Sequence, residues 1–152
     1  MSDTPLPHFR AALGPGDWEQ VAVHAYKQEA GVPFKDITRR LLFSSPALGC
    51  ELRYFEMAPG GYSTLERHQH VHAVLILRGR GQCLVGKEVR AIDTNDLVYI
   101  PALTWHQFRA TEAEPLGFLC MVNATRDKPR LPSAEELAEL KSDPAVARFL
   151  AE

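Results

Sequence analysis

The chain contains few cysteines, no long hydrophobic run and no surplus of basic residues. Its three cysteines, Cys50, Cys83 and Cys120, are odd in number and far apart, and each lies in a strand-like run. They are expected to be small buried side chains rather than a disulfide framework or a thiolate metal site. No apolar run approaches the roughly 20 residues that cross a bilayer, and the first residues lack the features of a signal peptide. A cytoplasmic protein without membrane contact is expected.

The charge balance argues against a nucleic-acid partner. The formal net charge is -2 at pH 7, and the lysines and arginines are scattered rather than clustered. Hydrophobic residues make up 45% and charged residues 24% of the chain, as in an ordinary soluble globular protein. A length of 152 residues suffices for one domain with a core and short additional segments.

Three segments of the chain differ in character. Residues 1–35 are interrupted by proline and glycine and are expected to form an N-terminal arm outside the domain. Residues 36–125 contain short strand-like runs with turn residues between them, which predicts an antiparallel sandwich or barrel. The runs are 37–43, 50–57, 73–77, 82–85, 88–92, 97–100, 105–109 and 116–122.

Turn signals mark the boundaries of these strands. Glycine and proline at 58–61 and paired glycines at 78–81 predict turns, and Gly86-Lys87 predicts a hairpin. Residues 126–152 are expected to form a C-terminal helical tail. There, Ser133 and Glu136 form a capping-box pattern before one helix, and Asp143 precedes a proline at the start of a second.

The strongest functional signal is a cluster of histidines beside a carboxylate. Glu66, His68, His70 and His72 occupy alternating positions, and three of the chain's six histidines lie in this short stretch. On a straight strand all four side chains would share one face. Residues 66 and 72 would then lie roughly 20 Å apart, too far for one ion that holds nitrogen ligands at about 2.0 to 2.1 Å. Either an adjacent pair acts, or the chain turns between His68 and His72.

Two motifs between residues 59 and 108 resemble the conserved barrel of the cupin superfamily. The first runs from Gly61 through the histidine cluster and an apolar strand to Gly79. The second begins at Asn95-Asp96, continues through an apolar strand to Pro101 and ends at His106. The resemblance implies an all-β fold, an antiparallel double-stranded β-helix (jelly-roll barrel) with short C-terminal helices.

The same resemblance implies a metal site. Counting back from the glycine that closes the first motif, its ligand positions fall on Glu66, His68 and His72, and the second motif adds His106. His70 would then lie in the turn between two strands. In the alternative register His68 and His70 form the ligand pair, and Glu66 stands aside.

The resemblance also implies a range of functions. Three histidines with at most one carboxylate suit a divalent transition metal, such as Fe, Mn, Ni, Cu or Zn. A mononuclear-metal enzyme acting on a small organic molecule is expected, dioxygenase-like or isomerase-like, with a non-catalytic ligand-binding or sensing protein as the alternative. A homodimer is the expected assembly. Six apolar or aromatic residues are candidates for the pocket wall: Tyr54, Met57, Tyr99, Trp105, Phe108 and Phe118.

Overall fold

A computed structural model describes residues 5–151 as a closed antiparallel β-barrel followed by two short helices. The double-stranded β-helix predicted from the sequence is confirmed. The strands are β1 (Ala12–Gly14), β2 (Asp17–Trp18), β3 (His24–Ala25), β4 (Lys35–Ser44), β5 (Cys50–Tyr62), β6 (His72–Val85), β7 (Glu88–Asp93), β8 (Leu97–Ile100), β9 (His106–Ala110) and β10 (Leu116–Asn123); the helices are α1 (Ala134–Lys141) and α2 (Pro144–Ala151).

Four strands close the barrel around the core. β10 pairs with both β5 and β6, and β9 also pairs with both, so these strands form a ring. β4 extends the sheet beside β5, and β3 pairs with β4. Alternate side chains point inward, and the barrel core contains Ile37, Phe55, Met57, Val74, Ile76, Cys83, Ile92, Ile100, Phe108, Leu116, Phe118, Cys120 and Val122.

The turn predicted at 78–81 is wrong, because one continuous strand, β6, runs through it. Gly79 has a φ of 69°, and a Cβ there would lie 1.8 Å from the carbonyl oxygen of Pro115. A Cβ on Gly81 would lie 2.1 Å from the carbonyl oxygen of Arg109. The glycines therefore let β6 pass close to its neighbours without ending the strand.

The turn predicted at 58–61 is also wrong. β5 continues to Tyr62, where it changes partner and pairs with Arg109 of β9. Gly60, with a φ of 77°, hydrogen-bonds through its N–H to the carbonyl of Thr111 at 2.8 Å. The hairpin at Gly86-Lys87 is confirmed, since it joins β6 to β7.

The tail packs on the outside of the barrel. The capping box is confirmed: Ser133 Oγ accepts from the Glu136 N–H at 3.1 Å, and Glu136 Oε1 accepts from the Ser133 N–H at 3.0 Å. Leu140, Val146 and Phe149 are buried against Leu84 of β6 in a second apolar cluster. Neither helix of the described chain is long and apolar enough to span a membrane.

Candidate metal site

Three of the predicted ligands converge inside the barrel. His68 precedes β6, His72 begins it and His106 begins β9, and all three side chains are buried. One ring nitrogen from each can be chosen so that the three atoms lie within 4.8 Å of one another. The chain bends at 69–70 before β6 starts, which brings His68 back beside His72. This is the turn between His68 and His72 that was one of two possibilities derived from the sequence.

Hydrogen bonds orient the three imidazoles. His68 Nδ1 lies 2.7 Å from the carbonyl oxygen of His70, and His106 Nδ1 lies 2.9 Å from that of Thr104. Since a carbonyl only accepts, both Nδ1 atoms donate, and the Nε2 lone pairs remain available. His72 Nδ1 contacts Cys120 Sγ at 2.9 Å, and its Nε2 lies 2.9 Å from His68 Nε2. Two nitrogens at this separation can bind one ion at about 2.0 to 2.1 Å, so the donor set fits a metal.

Burial keeps these histidines neutral. It lowers the pKa of His68 to about 4, with help from His106 and His70 nearby. Burial also lowers the pKa of His106 to about 4, despite the hydrogen bond to Thr104. The pKa of His72 is held well below its usual range by burial and by the neighbouring His106 and His68. Neutral imidazole is the form that binds metals.

Glu66 lies beside the three histidines but has a different partner. Its backbone forms a β-bridge with His106, and its side chain lines the same cavity. The carboxylate makes an ion pair with Lys27, whose side chain is largely buried. Among the described residues, the side chains whose ligand atoms lie close enough together to share one ion are His68, His72 and His106. Glu66 is not part of this group.

His70 lies outside the three-histidine group. Its ring stacks on that of His68, with centroids 3.6 Å apart and planes within 2°. Its Nδ1 lies 2.8 Å from Asp127 Oδ1, and Asp127 also accepts from the backbone N–H groups of Gln69 and His70 at 2.8 and 3.1 Å. These bonds hold the pKa of Asp127 well below its usual range, chiefly the one from Gln69. Asp127 thus stabilises a bend that contains neither glycine nor proline.

The histidines lie in the wall of a cavity of about 230 Å³. Of the six apolar residues expected to line it, Phe108 and Phe118 do so, with ring centroids 4.3 Å apart. Tyr99 is 61% exposed on the outer face of the barrel. The other three pack elsewhere: Tyr54 against Trp18, Met57 in the barrel core and Trp105 in the second cluster.

The cavity is also lined by charged residues that were not predicted from the sequence. Lys27, Arg39, Arg53 and Arg126 contribute cationic groups, and Cys120 contacts a histidine. Alternation along β4 and β5 places residues 39 and 53 on the inward face. That alternation was the available signal, but a charged residue facing inward is unusual and was not expected. Cys83 and Cys120 are buried, as the sequence predicted, whereas Cys50 is only partly buried.

A closed barrel with buried histidines at the start of β6 and β9 defines the class of protein. The family model described as Cupin domain matches residues 53–122. A cupin 2 conserved barrel domain protein from Rhodopseudomonas palustris is 59% identical, with a TM-score of 0.88 over 93% of this chain and 97% of that chain. A cupin-2 domain structure from Rhodospirillum rubrum is 54% identical, with a TM-score of 0.84 over 97% of each chain.

A relative with a named activity is also close in sequence. The 1-methylthio-D-xylulose 5-phosphate methylsulfurylase of Rhodospirillum rubrum is 59% identical over 142 residues, which span 93% of this chain and 91% of that protein. The chain belongs to the cupin superfamily and is a small single-domain member of it.

Proposed function

We propose that this protein is a metal-dependent methylsulfurylase that acts on 1-methylthio-D-xylulose 5-phosphate or a close analogue. The observation that carries the proposal is the 59% identity with the Rhodospirillum rubrum enzyme over nearly the whole of both chains. The cavity supports it, since nitrogen donors for a metal and cationic groups for a phosphate lie in the same wall. A pocket with a few convergent polar groups is the usual form of a small-molecule site.

The proposed metal ligands are the Nε2 atoms of His68, His72 and His106. Glu66 is the proposed fourth ligand, and its carboxylate would be shared with Lys27. Iron, manganese, nickel, copper and zinc are all compatible with this donor set. A divalent metal here supplies Lewis-acid polarisation of a carbonyl or hydroxyl oxygen.

The residues around the ligands shape the rest of the pocket. Lys27 donates to Glu66 and holds its carboxylate in the cavity wall beside the histidines. Phe118 stacks between Phe55 and Phe108, with centroid distances of 5.5 and 4.3 Å. These rings present an apolar surface in the cavity wall.

The test is an activity assay on the protein loaded separately with each candidate metal. Moving a methylthio group off the sugar requires an acceptor, so the assay is run with and without a small thiol, and the sugar phosphate is followed by mass spectrometry. We expect consumption of 1-methylthio-D-xylulose 5-phosphate with at least one metal and loss of activity in His106→Ala. Absence of turnover with every metal would reject the proposal.

The same experiment addresses the other functions expected from the family. Turnover that consumes dioxygen would indicate an oxygenase, and rearrangement with the methylthio group retained would indicate an isomerase. Tight binding of the sugar phosphate without turnover would indicate a non-catalytic binding protein. The cytoplasmic location and the homodimer stay predictions, and light scattering of the purified protein measures the latter.

A further inference from the structure

Three arginines line the wall of the metal-site cavity and form what we call the arginine cluster: Arg39, Arg53 and Arg126. Arg39 lies on β4 opposite Phe55 of β5, and Arg53 lies two residues before Phe55 on the same strand. Residues two apart on a strand share a face, so both guanidinium groups extend from the inward side of the sheet. Arg126 follows β10 and hydrogen-bonds to the Asn123 carbonyl oxygen at 2.9 Å.

The cluster carries more positive charge than its surroundings neutralise. Arg126 makes an ion pair with Glu51. Within residues 5–151, neither Arg39 nor Arg53 has a carboxylate partner, and the buried Nε atom of each lacks a hydrogen-bond acceptor. Arg53 contacts a thiol and a ring, at 3.9 Å from Cys120 Sγ and 5.0 Å from the Phe55 centroid. Two guanidinium charges therefore face the cavity without an ion pair of their own, since the carboxylates of Glu66 and Asp127 in the same wall are paired with Lys27 and His70.

This arrangement costs free energy in the ligand-free protein. Burial lowers the pKa of Arg39, and the neighbouring Arg53 lowers it further, although Glu51 opposes this. Partly buried like charges repel, and buried donors without acceptors lose hydration. An anion that binds both guanidinium groups would remove both penalties. Guanidinium matches phosphate oxygens in a two-pronged geometry, and a phosphate monoester carries the two negative charges required.

We infer that the arginine cluster binds the phosphate group of a sugar-phosphate substrate, with Arg39 and Arg53 as its principal ligands; this rests on the function proposed above. The arginine cluster lies close enough to the histidines for one sugar phosphate to contact both. Cys120 contacts both Arg53 and His72, since its Sγ is 3.9 Å from Arg53 Nη2 and 2.9 Å from His72 Nδ1. A molecule held at the cluster by its phosphate can thus reach the histidines with its opposite end.

The test compares two probes that differ only in the phosphate. D-xylulose 5-phosphate and D-xylulose are titrated calorimetrically into the metal-loaded protein. We expect the wild type to prefer the phosphorylated sugar, and Arg39→Gln and Arg53→Gln each to reduce that preference about 10- to 100-fold. Arg39→Lys keeps the charge but not the planar fork, so an intermediate loss is expected. Arg90→Gln, at an exposed arginine paired with Glu88, is the matched control and should keep the full preference.

The outcomes separate this inference from the proposed function. A wild type without preference for the phosphorylated sugar, or an unchanged preference in both glutamine variants with wild-type metal content, would overturn the inference. Phosphate preference without turnover of the methylthio sugar would reject the methylsulfurylase and leave the phosphate site standing. Turnover of that sugar with an unchanged KM in both glutamine variants would reject the phosphate site and support the methylsulfurylase.

Discussion

At the scale of single residues, His72 is the one on which the metal assignment depends most. Its Nε2 faces His68 Nε2, and its Nδ1 is held by Cys120. We expect His72→Ala to lower metal occupancy at least about tenfold, because changes even to residues that support ligands cost 10- to 100-fold in affinity. Elemental analysis of protein purified without a histidine tag or chelator measures it.

His70→Ala is the matched control for that experiment. The His70 ring stacks on His68 and pairs with Asp127, whereas its backbone carbonyl, which orients His68, survives the substitution. Occupancy close to that of the wild type is therefore expected. If His70→Ala loses the metal and His72→Ala keeps it, the alternative register is correct.

The buried histidines also predict a pH dependence of stability for the metal-free protein. The pKa values of His68 and His106 are about 4 in the folded chain and about 6.5 when unfolded. Between these two pH values the unfolded chain binds more protons than the folded chain. The contribution of the histidines to the free energy of unfolding is therefore complete above pH 6.5 and is lost as the pH falls towards 4. In this range, each histidine that is protonated only in the unfolded chain lowers the free energy of unfolding by about 1.4 kcal/mol for each pH unit by which the pH falls.

Urea unfolding at a series of pH values measures this slope. Carboxylates also titrate in the acid range, so the informative quantity is the difference between wild type and His106→Gln, which should have a shallower slope. His24→Gln removes an exposed histidine and serves as the control. Equal slopes for the wild type and His106→Gln would show that His106 is not buried in its neutral form.

At the scale of elements, the glycines of β6 are the sharpest test of the barrel. Gly79→Ala should lower the free energy of unfolding by about 3 kcal/mol or more, because it combines a positive φ with a backbone clash against Pro115. Gly14→Ala is the matched control, since a Cβ there meets nothing within 4 Å, and its effect should stay within about 0.5 kcal/mol. Denaturant unfolding compares the two, and equal stabilities would contradict the close approach.

β6 also shows which features of the fold could be predicted from the sequence and which could not. Strand-like composition identified the runs on either side of Gly79, but local signals do not distinguish one continuous strand from two strands joined by a turn. The hairpin at Gly86-Lys87 and the capping box at Ser133 were predictable, because the residues that form them are neighbours in the chain. Asp127 was not, since it is distant from the bend at 69–70 in the sequence and contacts it only in the folded structure.

At the scale of the whole molecule, the site is assembled by closure of the barrel. The histidine cluster was visible because three members lie close in sequence, and motif order added His106. The arginine cluster was not predicted, since Arg39, Arg53 and Arg126 come from separate elements and a charged residue on the inward face of a strand is unusual. Local patterns thus predicted the groups for a metal, whereas the groups proposed to bind a phosphate required the three-dimensional structure.

The packing of the tail on the barrel gives a prediction for the whole molecule. Alternation along β6 directs Cys83 into the barrel core and Leu84 outward, where it meets Phe149 of α2. Phe149 is 2% exposed, and its ring lies 5.2 Å from the Arg109 guanidinium. Phe149→Ala should therefore lower the free energy of unfolding by about 3 to 5 kcal/mol.

The tail and the metal site lie on opposite faces of the barrel wall, so their responses to this substitution should differ. Metal content per folded chain should remain at the wild-type value in Phe149→Ala, because the three histidines face the interior. Arg148→Ala, at an exposed position of the same helix, should change stability by no more than about 0.5 kcal/mol. Thermal unfolding with parallel elemental analysis measures both quantities. If Phe149→Ala is as stable as Arg148→Ala, the tail does not cover the barrel in solution, and Leu84 is an exposed apolar side chain.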